Sequence, residues 1–146
     1  MSQQLADSAL VYLRAASRVQ RAEVMPALVV GEQHSIAALR EAAARLQADL
    51  LLVYRPSCRL YERAPFLGAL QWRATCTLEA VALETRSGLL PFSAVITRDQ
   101  VTQRERGEFE DLEAQRRAEV RSMLLALHGI VDRLTIRLAG VPVRNP

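Results

Sequence analysis

The chain has 146 residues, which suits one domain and is long enough to enclose a sizeable core. Half of it is hydrophobic but with only one Trp, three Tyr and three Phe, and 24% is charged, with six Gly, six Pro and two Cys. That balance excludes a disordered chain, a collagen-like repeat and a disulfide-dense miniprotein, and makes a core of Leu, Val and Ala. The net charge is +3 and all nineteen basic residues are Arg, yet they are scattered among sixteen acids with no basic block. No nucleic-acid partner is therefore expected.

No apolar run approaches the roughly 20 residues of a membrane-spanning helix. Met1 to Leu13 lacks the basic start and apolar centre of a signal peptide, and no lipidation cysteine lies near it. The expectation is a cytosolic protein, or an exported one from which a leader has been removed.

In chain order, Leu5, Ala9, Tyr12, Leu13 and Ala16 recur at helical spacing over 3–17. Residues 19–30, with Val24, Leu28, Val29 and Val30, read as a strand, with Pro26 suggesting an edge or a bulge. Ser35 is placed to cap a helix over 36–47, whose buried stripe is Ile36, Leu39, Ala43 and Leu46. Leu50-Leu51-Leu52-Val53-Tyr54 opens a strand over 50–60 that reads as covered on both faces. Strand, helix, strand makes a βαβ unit, so its two strands are expected to be parallel.

Two long strands follow, 70–85 and 89–98, joined by a tight turn at Arg86-Ser87-Gly88. A turn centred on Ser87 and a hairpin centred on Leu67 place even positions on one shared apolar face. The same register sets Leu52 opposite Ala82, Cys58 opposite Cys76, and Arg55 opposite Glu79 as a cross-strand ion pair. The other face turns polar towards the hairpin loop, through Arg55, Ser57, Arg59, Arg73, Thr75, Thr77 and Glu79, so that end should project beyond its covering helices. Residues 99–107 read as a loop. A helix over 108–138 carries the stripe Phe109, Leu112, Val120, Met123, Leu124, Leu127, Ile130, Val131, Leu134 and Leu138, and Gly129 is expected to loosen or kink it.

The expected architecture is thus a single α/β (α+β) domain over 1–146, in the order α-β-α-β-β-β-α. Its four-stranded mixed sheet has one parallel pair and otherwise antiparallel hairpins.

Chemistry-bearing groups are few. Cys58 and Cys76 face each other as a disulfide or as two buried thiols. His34, Cys58, Cys76 and His128 hold zinc-ligand atom types, but their spacing matches no compact motif, so no metal and no cofactor is expected. The acidic run Glu108, Glu110, Asp111, Glu113 suits a helix N-terminus. No catalytic motif is present, and no catalytic residue is assigned. Phe66 and Leu67, in the loop with Pro65 and Gly68, either anchor a partner or fold back on the sheet. The candidate partner contacts are Arg55, Arg59, Tyr61, Phe66, Leu67 and Arg73.

Leu39 through Arg55, with Ala48-Asp49 leading into the apolar strand, and Cys76 through Gly88, closing on Thr85-Arg86-Ser87-Gly88, resemble bacterial envelope lipoprotein domains. The pattern is similar to the TolB amino-terminal domain, to curli-secretion lipoproteins and to lipoprotein activators of penicillin-binding proteins, and it covers roughly residues 20–138. The resemblance implies a non-enzymatic, periplasmic or outer-membrane-tethered domain that binds other envelope proteins and meets the membrane only through a lipid anchor. The alternatives are a cytosolic regulatory or small-ligand-binding domain with reduced cysteines, and an enzyme whose site forms only in an oligomer.

Overall fold

A computed structural model describes residues 2–30, 35–63, 70–103 and 111–140. Seven elements follow one another: helices α1 (Ser2–Ala15), α2 (Ala27–Val30) and α3 (Ile36–Arg45), strands β1 (Leu50–Arg63), β2 (Gln71–Glu84) and β3 (Phe92–Gln103), and helix α4 (Asp111–Ala139). The sheet is antiparallel throughout, in the order β1-β2-β3.

Both expected registers are present. Cys58 pairs with Cys76 and Leu52 with Ala82 across the first hairpin. Leu78 pairs with Ile96 and Ala82 with Phe92 across the second. The even face of β2 is the core: Ala74, Cys76, Leu78 and Ala82 are fully buried. A period of two leaves no freedom here, because a slip of one residue would move all four into solvent.

Helix α4 covers that face. Met123, Leu127, Ile130 and Leu134 are buried beneath it, and so are Ala114, Ala118 and Ala126. These alanines lie outside the large-residue stripe expected from the sequence, and their small size lets the helix approach the strands closely. The helix runs unbroken through Gly129, where a Cβ would meet Ile96 Cδ1 at 2.9 Å, so this glycine serves close packing and makes no kink. Two buried hydroxyls fasten the layers: Ser122 Oγ donates to the Arg98 carbonyl at 2.5 Å and Thr102 Oγ1 to that of Ala114 at 2.8 Å. Helix α1 adds Leu5 and Ala9 to the same core.

The four-stranded sheet with a parallel pair is corrected. Residues 21–26 form no regular element, and Ala27–Val30 is a single helical turn in which Val29 N–H donates to the Pro26 carbonyl at 3.0 Å. Pro26 has no N–H for a ladder, and its fixed φ suits the start of a helical turn. Val24 and Leu28, 46% and 96% exposed, gain no burial that would reward pairing.

Other boundaries shift too. The second strand of the later hairpin begins at Phe92 rather than at residue 89, and runs to Gln103 through part of the segment read as a loop. Its residues stay strand because β2 extends to Gln71 and presents a partner for each. Strand β1 likewise continues to Arg63.

At the opposite end, α3 packs against β1 with Ala42 and Ala43 buried. Arg40 Nε donates to the Thr85 carbonyl at 2.7 Å, and its Nη2 donates to that of Arg86. The guanidinium thereby holds the turn in which Gly88 takes φ +73°. Ser35 caps α3 by accepting from Ala38 N–H at 3.2 Å. Ser35→Ala is expected to lower stability by about 1 kcal/mol in urea unfolding, with the helical circular dichroism almost unchanged.

Candidate functional site: the open face of the sheet

The odd residues of the strands point away from α4. Their rows run straight across the sheet: Arg55, Glu79 and Val95; Ser57, Thr77 and Thr97; Arg59, Thr75 and Asp99; Tyr61, Arg73 and Val101. Tyr61, Val95 and Val101 are 51%, 63% and 55% exposed. Each of these strands is 12 to 14 residues long, and α3 packs at the other end, so this stretch lies open.

Charge on the face is arranged in pairs. Arg55 Nη2 donates to Glu79 Oε2 at 2.7 Å, the pair expected from the register. Arg73 donates to Asp99 Oδ2 on a diagonal, and the Thr77 and Thr97 hydroxyls are 2.9 Å apart. Arg59 has no hydrogen bond or ion pair among the described residues, and so is a cation free to meet an incoming acid.

Tyr61, Gln71, Arg73, Thr75, Asp99 and Val101 line an open depression of about 620 Å³. It combines an aromatic ring, an apolar residue, hydroxyl and amide groups, and an ion pair on a rigid surface. Such a mixture suits recognition of a protein side chain.

Hydrogen bonds from Arg73 and then from Thr75 hold the Asp99 carboxyl below its ordinary value. Because the folded state favours the anion, this contribution to stability is complete above the unfolded aspartate value and is lost as pH falls through the lower folded one. An NMR titration of the Asp99 carboxyl is expected to give a midpoint below that of an unperturbed aspartate, and Arg73→Met should move it upward.

Four of the six contact candidates, Arg55, Arg59, Tyr61 and Arg73, come together on this face. Phe66 and Leu67 lie outside the described residues. Asp99 and Val101 are site residues that lie beyond the strand end expected at residue 98. The register about Ser87 held the signal for them, since continued past Arg98 it places both on the polar face.

Cys58 and Cys76 are joined as a disulfide, with Cα atoms 4.1 Å apart, on the core side of the same hairpin. Cys76 is fully buried, and its Sγ lies 3.6 Å from the Glu119 carbonyl oxygen of α4. The bond removes both sulfurs from the zinc-type set. His128 stands apart from them, with its ring edge-on to Tyr12 and Nδ1 3.2 Å from Asp132. His34 is outside the described residues. Of the acidic run, Glu113 lies in the first turn of α4.

No known family profile matches the chain, and no curated protein matches it. Among solved structures, the hypothetical protein CT253 of Chlamydia trachomatis is similar with a TM-score of 0.57 at 12% identity, covering 97% of this chain and 86% of the other. A "putative lipoprotein" of Caulobacter crescentus CB15 is similar with a TM-score of 0.49 at 13% identity, over 74% of this chain and 85% of the other. At 12% identity the likeness to the Chlamydia trachomatis protein is one of fold. No helix among the described residues is long and apolar enough to cross a membrane.

Proposed function

We propose that this chain is a non-enzymatic protein-interaction domain of a bacterial cell-envelope protein, and that it docks partners on the open face of its sheet. The observation that carries the reading is the joint placement of Tyr61 and Arg73 in the depression with Arg59 one row away, opposite Thr75, all exposed on one antiparallel face. Arg and Tyr are the residue types that dominate binding energy at interfaces, and the apolar neighbours Val95 and Val101 offer area to exclude water. The Cys58–Cys76 disulfide supports an oxidising compartment, and so the envelope over the cytosol. The closer likeness to TolB, curli-secretion and penicillin-binding-protein-activator lipoproteins, and a lipid anchor as the sole tie to the membrane, belong to the same proposal and rest on the sequence phrases.

Photo-crosslinking in living cells tests it. A photoreactive residue at Arg59 or Tyr61 should join the chain to envelope proteins, and one at Arg133, exposed on α4, should not. Tyr61→Ala and Arg73→Glu should each weaken such a complex on the order of tenfold or more. Equal cross-linking at all three positions, or a complex indifferent to both substitutions, would count against the open face. Finding both cysteines free to alkylating reagent in the native cell would favour the cytosolic regulatory alternative.

A further inference from the structure

The two edges of the sheet differ. Cys58 and Cys76 have their Cα atoms 4.1 Å apart, the spacing of a non-hydrogen-bonded antiparallel pair. Even residues of β1 therefore turn their backbone groups to the outer edge, and Pro56, on that parity, presents no N–H there. On β3 the parity is reversed, and odd residues face outward. Their carbonyls each accept one side-chain bond, from Arg98 Nη1 to Thr97 O at 3.0 Å, from Gln100 Nε2 to Asp99 O at 2.8 Å and from Arg117 Nη2 to Gln103 O at 2.8 Å, which leaves a second lone pair on each for a strand N–H. Strand β3 contains no proline, and no described strand pairs with its outer edge.

The helix layer continues this edge. Glu119 lies over Cys76 of β2, while Ser122 and Gly129 meet Arg98 and Ile96 of β3. Further round α4, beyond β3, come Leu125, Arg121 and Asp132 at helical spacing. Leu125 is 45% exposed, and Arg121 has no partner among the described residues.

We propose that two copies of this chain pair antiparallel through β3 about a two-fold axis at Thr97, joining their sheets into one of six strands. Three features favour a second copy as the occupant. Thr97 meets Thr97, which extends the Thr77–Thr97 hydroxyl row across the axis. Centring on Arg98 or Asp99 would set like charges opposite each other, and the Thr97 register avoids both. The level of Thr97 corresponds to Leu125 on α4, so the two leucines approach and Arg121 of each copy comes towards Asp132 of the other. With strands about 4.8 Å apart, helices over the β2–β3 seams lie about 10 Å from each other, a helix-packing distance. The contact is small for a stable interface, so the dimer dissociates on dilution.

Sedimentation velocity across a wide concentration range should show a monomer–dimer equilibrium. Thr97→Pro removes an outward N–H together with the exposed hydroxyl contact to Thr77, and should leave the chain folded but monomeric. Arg121→Asp and Asp132→Arg should each weaken the dimer on the order of tenfold, and the double variant should restore it. The charge exchange reports independently should Thr97→Pro disturb folding. A wild-type chain that stays monomeric throughout, or a dimer that these substitutions leave unchanged and the double variant does not rescue, overturns the proposal.

Discussion

Replacing Cys58 and Cys76 together with alanine is expected to cost about 3 kcal/mol and to lower the melting temperature by roughly 10 °C. The bond closes a loop with a sequence separation of 18, so its loss returns closure entropy to the unfolded chain. Alanine is the informative choice, because a serine at the fully buried position 76 would add the desolvation of a hydroxyl to the effect. The loss should be seen in urea unfolding and should equal that produced in the wild type by reductant. The hairpin ladder and its register should survive, since Leu52, Leu78, Ala80 and Ala82 still choose the buried face. If double alanine and wild type unfold at the same urea concentration under oxidising conditions, the staple contributes nothing and its bearing on compartment weakens.

Leu78→Ala is expected to be comparable, at about 3 kcal/mol. Leu78 lies on the central strand with none of its surface exposed, between Pro56 and Ile96 in the ladder and under α4. The same core cluster holds Ile96, Met123, Leu127 and Ile130 beside Ala74, Ala80, Ala82, Ala118 and Ala126, so truncation opens a cavity among side chains already packed against one another. The effect should therefore fall within the usual range for such truncations. Val95→Ala on the open face, 63% exposed, supplies the contrast and should change stability little. Because Leu78 and Cys76 share a core, combining their substitutions should not give the sum of the separate losses.

Much of the sheet was legible because two constraints converge on it. Even-numbered apolar residues from Leu70 to Ile96 fix the inward face, and a tight turn at Ser87 and a hairpin centred on Leu67 fix the register. Arg55–Glu79 and Cys58–Cys76 then follow as geometry, before any coordinate is known. The end of β3 was not legible, since Asp99, Gln100 and Gln103 are polar and carry no strand signal alone. They are strand because β2 extends alongside them. Residues 19–30 fail for the opposite reason. Val24, Leu28, Val29 and Val30 have strand-like content but no neighbouring ladder, and local chemistry at Pro26 decides.

The candidate site divides in the same way. Alternation along the chain alone determined that Arg55, Arg59, Tyr61 and Arg73 share one polar face, and that two sulfurs meet on the other. It also determined most of the apolar stripe on α4. Tertiary structure decided what alternation cannot carry: which strand stands at each edge, how far β3 reaches, and which alanines and which glycine seat the helix. It also brought Asp99 and Val101 to the same depression as Tyr61 and Arg73. The physical reason is range, because periodicity reports which side of a segment is wetted, whereas edges, extensions and close packing depend on partners distant in the chain.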